Sequence, residues 1–443
     1  GYCTPSVGGR MQVNANKIIA GLAIMALSLP SASARAGDAA LATEWNETVL
    51  EIAEAEDGFL TLKGLRTVTM MHIAMHDALS SINGEYEIYA YGGVVPEANP
   101  IVAVSQAAFV VAADQYPDQQ EKFATLRDRW LRDIDASESQ QTGKQLGNAA
   151  AHAILANRKG DGWDAEAEYR WHPMAPGVYA EFQEHSGTPQ GFIFGAGWAK
   201  ARGIALERPD QFRAPPPPEI SSDDYTQAFN EVKDVGRFQS MRRTPDQTHI
   251  ALWWKDFAEN SHNRLARDLI EKEGLPLYEA VRLFALLNMA IFDGYVSSFD
   301  NKFHYNHWRP YTAIRWAEND GNPNTLPEET WTNTHRHTYA FPSYPSAHGM
   351  ACAAAMTAFE DVLGEEYAFT MRIPMVDVAG PFSGKIEMHP STREFASFSE
   401  AAMQCGLSRI YLGIHFRYDS VEGVRLGAEV GSNVVDNYLR PKD

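Results

Sequence analysis

The 443-residue chain has only three cysteines, and 38 basic side chains face 57 acidic ones. After residue 37 its apolar runs are short. Three cysteines are too few for a disulfide scaffold or for a cysteine-based zinc centre. The deficit of positive charge (formal net charge -19) leaves no clustered Lys and Arg to release counterions from a nucleic acid, and it disfavours an anionic membrane surface. The short apolar runs exclude a lipid phosphatase with several membrane spans and predict no membrane insertion of the mature chain. What is present is ordinary globular composition, 44% hydrophobic and 21% charged with 33 Gly and 24 Pro. Wholesale disorder and collagen-like repeats are thereby excluded. The length suffices for one large domain or two packed bundles. A small anion remains a feasible ligand wherever the few basic side chains converge.

The N-terminal segment 11–36 has the pattern of a secretory signal. Lys17 supplies the positive n-region, residues 18–29 form a 12-residue apolar core, and Ala34-Arg35-Ala36 is an A-x-A cleavage site. A core of that length is too short for a hydrocarbon layer that needs about 20 residues. The expected mature chain starts at Gly37 and is periplasmic or secreted. Cys3 would be lost with the leader. Cys352 and Cys405 both lie in Ala-rich helical stretches, and their chemistry allows either free core thiols or one disulfide.

Helical periodicity dominates the remainder. Apolar residues recur at three- and four-residue spacing in 45–56, 65–82, 103–113, 119–134 and 139–157. Segment 160–218 is instead rich in Gly, Pro, Trp and Tyr and ends in a stiff run of four prolines, Pro215 to Pro218. Helical patterns resume in 223–235, 247–271, 277–300, 350–363, 394–405 and 420–438. The chain reads as all-α, divided into a leader (1–36), an N-terminal helical half (37–200) and a C-terminal helical catalytic half (201–443).

Three short constellations in the C-terminal half carry chemistry. In KFHYNHWRP, Lys302 and Arg309 are seven residues apart, which is two helical turns and predicts one shared face. In PSAHG, Pro345-Ser346-Ala347-His348 precedes a small-residue helix, whose start offers backbone N–H groups and a hydroxyl to an anion. In SRIYLGIHFRYD, Arg409 is followed by His415 and Asp419, spaced i,i+4 so that a carboxylate can orient an imidazole. Three cations, a hydroxyl, amides and two histidines suit a tetrahedral oxyanion, with one His as nucleophile or ligand and the other as acid–base. The three patterns in this order arise by chance on the order of once in 10^5 to 10^6 chains at average residue usage.

This order and spacing resemble the superfamily of type 2 phosphatidic acid phosphatases, bacterial acid phosphatases and vanadium-dependent haloperoxidases. HWRPYTAIR, FPSYPSAHG and SRIYLGIHFRYD, with QFRAPPPPEISSDDYTQAFNEVKDVG and SMRRTPDQTHIALWW upstream, are most similar to the exported bacterial haloperoxidases. The resemblance covers roughly 208–431 and implies two packed helical bundles. It implies a vanadate cofactor with His415 as the metal ligand. Lys302, Arg309, Ser346, the Ala347 amide and Arg409 would hold the other oxygens. His348 would be the acid–base group, Lys302 would polarise bound peroxide, and Asp419 would support His415. Phe299 and Phe341 would fall in the halide pocket. The implied reaction is oxidation of halide, iodide or bromide in particular, by hydrogen peroxide to a hypohalous species that halogenates a small organic acceptor. The alternative for the same residues is an exported acid phosphatase acting through a phosphohistidine at His415. One departure is Ala347, where the family usually has Gly, so a methyl group stands beside the oxyanion position.

Other signals carry plainer readings. His72 and His76 have metal-ligand spacing but lack the Glu of H-E-x-x-H, which points to a packed helix face. His335 and His337 read as a solvated loop, or else as the rim of the pocket. Trp253 and Trp254 read as core. Asp293 could buttress a site cation or serve as a surface or capping group.

Overall fold

Apolar spacing of three and four residues becomes thirteen α-helices among the described residues, 38–180, 185–186 and 192–443, in a computed structural model of the chain. The leader, its cleavage site and Cys3 lie outside the described residues. The described residues make one compact unit. Helices α1 (Ala39–Asp57), α2 (Lys63–Asn83), α3 (Pro100–Gln115), α4 (Gln120–Leu131) and α5 (Glu138–Asn157) come first. Local chemistry sets their starts. Asn99 accepts from the N–H groups of Ile101 and Val102 with Pro100 at the first helical position, and Ser137 accepts from Gln140 N–H. An irregular stretch follows, as the Gly/Pro-rich composition predicts.

The second half contains α6 (Asp223–Val235), α7 (Pro245–Trp253), α8 (Ala258–Glu273), α9 (Leu277–Tyr305), α10 (Pro310–Arg315), α11 (Ala347–Leu363), α12 (Phe398–Leu412) and α13 (Arg417–Asn437). Between α11 and α12 four short strands nest as two antiparallel pairs. The outer pair is β1 (Phe369–Arg372) with β4 (Thr392–Phe395), and the inner is β2 (Met375–Asp377) with β3 (Lys385–Glu387). Helices α2, α3 and α5 pack together, as do α9, α11, α12 and α13, and α2 also lies on α9. The fold is all-α, as the periodicity implied.

Helix α9 is the axis of the core. It is long and apolar enough by length and composition to cross a membrane, and its most apolar window is wholly buried inside the protein. It is longer than the short apolar runs expected after residue 37, and polar residues such as Asn288 and Asp293 interrupt it. Asn288 is satisfied within a buried amide cluster with Asn263 and Asn46. Asp293 accepts from the N–H groups of Ile204, Ala205 and Leu206 at 2.6, 2.8 and 3.0 Å, so its role is to cap an incoming loop rather than a site cation. Asp77 on α2 repeats the device with Tyr89, Ala90 and Tyr91.

Three boundaries depart from the sequence reading. The expected helix 247–271 breaks into α7 and α8 around Trp254–Phe257 because Phe257 is extended (φ -61, ψ 142), although no Gly or Pro interrupts the apolar pattern there. Helix α12 begins at Phe398, capped by Ser397, because Thr392–Phe395 is taken into β4. The short α10 was not anticipated. His72 is buried, stacked on Phe284 and bonded to Asn46, and His76 bonds the Glu87 carbonyl, so both are packed helix residues. Trp253 and Trp254 are fully buried core.

Candidate active site

The structure brings the three constellations together, by a route different from helical spacing. Helix α9 ends at Tyr305 with Asn306 in the left-handed region (φ 49), and Arg309 is the N-cap of α10. Lys302 and Arg309 therefore do not share a helix face. Helix α9 ends between them, and both guanidinium and ammonium are fully buried. Helix α11 starts at Ala347, with Ser346 as N-cap accepting from Gly349 N–H at 3.1 Å. That bond uses an acceptor lone pair, so the Ser346 hydroxyl hydrogen is still available to a ligand. The first-turn amides of Ala347 and His348 have no intrahelical partner, as at any helix start. His415 lies just before α13, whose N-cap is Phe416, and only Asp419 is within the helix. The i,i+4 contact survives because Gly413, left-handed at the end of α12, turns the chain and brings His415 back over the start of α13.

Each buried group has a defined set of partners. Lys302 Nζ donates to the carbonyls of Pro342 (3.1 Å) and Ser343 (2.8 Å), leaving one ammonium hydrogen. Arg309 donates from Nε to the Phe341 carbonyl and from Nη1 to the Ile414 carbonyl, and its Nη1 lies 3.1 Å from His415 Nε2. Arg409 reaches the Trp254 carbonyl at 3.4 Å. Asp419 Oδ2 takes His415 Nδ1 at 2.9 Å, the Phe416 N–H at 3.0 Å and the Ser343 hydroxyl. Ser343 thus supports both Asp419 and Lys302, a role that its sequence context did not signal.

Three cations face one carboxylate here, and this imbalance sets the electrostatics. Burial, with Arg309 and Arg409 adding repulsion, lowers the Lys302 ammonium well below its usual value, against the pull of Asp419. Burial and the Arg309, Lys302 and Arg409 charges keep His415 neutral, and burial with Arg409 does the same for His348. Burial pushes the Asp419 carboxyl up, opposed by the Ser343 hydroxyl and Lys302.

Arg309 Nη2, Arg409 Nε and His348 Nε2 are buried without a hydrogen-bond partner. Arg309, Ala347, His348, Arg409 and His415 line one cavity of about 280 Å³. Unused cationic donors converging on a neutral imidazole are what an oxyanion requires. The residues present therefore fit vanadate or phosphate. Lys302 and Ser346 do not line the cavity and stand immediately behind it. Ala347 lines it, so its methyl group is part of the surface that an oxyanion meets.

Above this polar floor the walls are aromatic. Phe299 and Phe341 both line the cavity with ring centroids 5.1 Å apart, and Phe194 and Trp198 join them. Arg309 and Lys302 lie over the Phe341 ring at 4.7 and 5.4 Å. His337 lines the cavity, whereas His335 is buried and bonded to Tyr339, so neither is a solvated loop residue. Lys255, Glu259, Tyr295 and Phe382 also line it and carry no sequence signal, since they come from three separate segments with no common motif. Lys255 donates to the carbonyls of Val378 (3.0 Å) and Asp377, fixing the β2–β3 turn beside the cavity. Cys352 and Cys405 are joined in a disulfide, one helical turn from His348 and from Arg409 respectively, which ties α11 to α12 behind the site.

Residues 282–442 match the family model of the VCPO second helical-bundle domain. A vanadium chloroperoxidase of Curvularia inaequalis is 26% identical over 267 residues, 48% of this chain and 43% of its own length, so the match spans less than half of that relative. Among solved structures, that of the first bacterial vanadium-dependent iodoperoxidase superposes with a TM-score of 0.72 at 20% identity, covering 92% of this chain and 98% of the other. The holo form of a bacterial vanadium-dependent chloroperoxidase gives 0.65 at 17% identity, covering 84% and 90%. Residues 282–442 thus match a VCPO second helical-bundle domain, and the fold is similar to that of bacterial vanadium-dependent haloperoxidases.

Proposed function

We propose that the protein is a vanadate-dependent haloperoxidase, oxidising iodide or bromide with hydrogen peroxide. The observation that carries this reading is the convergence of Arg309 Nη2, Arg409 Nε and His348 Nε2, all unpartnered, on the cavity that His415 Nε2 faces. Vanadate, when bound, activates peroxide toward attack by halide. Lys302, Arg309, Arg409, the Ser346 hydroxyl and the Ala347 amide hold the oxyanion, and His415 supplies the nitrogen ligand. These cations are fixed by carbonyls before any ligand arrives, so their charge is available without reorganisation. His348, buried and neutral, moves a proton at the cavity floor through Nε2. Phe299 and Phe341 offer halide a dry wall with two cations behind it. Iodide and bromide are favoured because they surrender electrons more readily than chloride. We also propose export with a mature start at Gly37. The Cys352–Cys405 disulfide supports this, since such bonds persist in oxidising compartments. N-terminal sequencing of protein from its native host tests it.

The function is tested on metal-free protein assayed for peroxide-dependent halide oxidation and for phosphate-ester hydrolysis, before and after adding vanadate. Halide oxidation that appears only with vanadate supports the reading. Ester hydrolysis without vanadate, lost when vanadate is added and unaccompanied by halide oxidation, would establish the phosphatase alternative.

A further inference from the structure

Among the described residues Glu259 has no cationic partner. It sits in the first turn of α8, 1% exposed, and lines the same cavity as His348 and Arg409. Its one side-chain partner is Tyr295 on α9, whose hydroxyl donates to Oε2 at 2.7 Å. The charged groups acting on it most strongly are two further acids, Asp256 and Asp57. A buried carboxyl whose hydrogen bonds come only from one hydroxyl and its own backbone N–H is costly, and an apolar or amide side chain would pack here at less expense. A carboxylate has about four acceptor sites, so these two bonds leave it able to accept from a molecule in the cavity.

The rest of the wall is suited to a flat ring. Trp198 packs edge-on to Tyr295 at 5.6 Å and lies 5.0 Å from Phe299, and Phe194 meets Trp198 at 5.1 Å. Phe257, Tyr339 and Phe382 also belong to the aromatic lining. A cavity of about 280 Å³, apolar on most of its surface, accommodates a small aromatic molecule. Its polar features are the cationic floor, Glu259 with Tyr295 on the wall, and the side chains of Ser186, Lys255, His337 and Tyr339.

We infer that Glu259, oriented by Tyr295, is the binding and proton-accepting group for the hydroxyl of a phenolic acceptor held in this cavity. The inference rests on the haloperoxidase reading for its electrophile, a hypohalous acid HOX. The ring carbon ortho or para to the hydroxyl bonds to X as the O–X bond breaks and hydroxide departs. The phenolic proton passes to Glu259. The resulting dienone gives its ring proton to the departed hydroxide, which becomes water, and Glu259 returns its proton to the oxygen, so that ArOH and HOX give the halophenol and water. A carboxyl raised toward neutrality by burial suits this exchange.

The test uses metal-free full-length protein, with phenol and anisole as probes followed by calorimetry or ligand-observed NMR. Anisole has the same ring without a hydroxyl hydrogen. A hydrogen bond to a charged acceptor predicts that wild type binds phenol at least about tenfold more tightly than anisole. Glu259→Leu should bring the two affinities together, and Tyr295→Phe should reduce the preference several-fold by freeing the carboxyl. Phosphate binding at the floor and the far-UV spectrum check folding, and Tyr295→Phe with Glu259→Gln carry the test if Glu259→Leu is unstable. In vanadate-loaded protein, the ortho-to-para ratio of halogenated phenol should differ from that given by free hypohalous acid, and Glu259→Gln should move it toward the free value. Equal affinity for phenol and anisole in wild type, or a preference that survives Glu259→Leu, would overturn the assignment. If phenol preference depends on Glu259 while no halide is oxidised, the phenol site stands and the haloperoxidase reading falls.

Discussion

His415 Nδ1 lies 2.9 Å from Asp419 Oδ2, and on the other side of the ring Nε2 lies 3.1 Å from Arg309 Nη1. A carboxylate can only accept and a guanidinium can only donate, so the ring proton belongs on Nδ1 and the Nε2 lone pair is unprotonated, accepting from Arg309 at the cavity floor. The tautomer needed for a nitrogen ligand is thus set before any oxyanion binds.

Removing that control should weaken vanadate more than phosphate, because only vanadate gains a bond to nitrogen. Asp419→Ala is expected to cost vanadate affinity about 10- to 100-fold. Asp419→Asn keeps an oxygen for the His415, Phe416 and Ser343 bonds and should lose less. Titration of both anions into metal-free variants measures this, and equal losses for the two would contradict the tautomer argument.

The two histidines should separate by function. His415→Ala is expected to bind vanadate poorly and to abolish halide oxidation. His348→Ala should still load vanadate, because Lys302, Arg309 and Arg409 remain, but should lose most turnover, by about 10²- to 10⁴-fold as for other acid–base groups. Vanadium binding measured beside steady-state rates distinguishes them. Equal loss of binding in both would remove the division of roles.

Asp293 holds three buried loop N–H groups. Asp293→Ala leaves them without an acceptor, and at about 1–3 kcal/mol for each unsatisfied group the variant should lose at least about 3 kcal/mol of stability. Urea unfolding followed by tryptophan fluorescence is the measurement. A loss below 1 kcal/mol would mean that water replaces the carboxylate.

Glu259 predicts a pH dependence of opposite sign to that of a salt-bridged acid. Burial pushes its carboxyl from the ordinary 4.5 to about 7. Between those values the folded protein keeps a proton that the unfolded chain has released. This group therefore favours folding less and less as pH rises through that window, by at most about 3 kcal/mol in full. The stability of Glu259→Gln relative to wild type should accordingly increase from pH 5 to pH 8. A difference that does not change between the two pH values would show that Glu259 ionises freely in the fold.

Much of this site is local in sequence. The helix start at Ser346, the i,i+4 contact of His415 with Asp419, and the cations Lys302, Arg309 and Arg409 are each written within a dozen residues, because caps, turns and short-range pairs depend on neighbours along the chain. The all-α class followed from periodicity for the same reason. The shared helix face for Lys302 and Arg309 was the wrong geometry, since Asn306 ends α9 between them. Their convergence holds nonetheless, because carbonyls of Phe341, Pro342, Ser343 and Ile414, from two other segments, fix both cations. Asp293 could not be assigned from sequence because its partners lie 87 to 89 residues away. The cavity walls were invisible for that reason too. Glu259, Tyr295, Trp198 and Phe382 acquire a common environment only when α8, α9, the irregular crossing and the β2–β3 turn pack together. The sequence by itself determined which anion-binding chemistry the chain carries, through short motifs. The tertiary structure alone decided what stands opposite that chemistry, because burial and packing bring together residues that no local spacing relates.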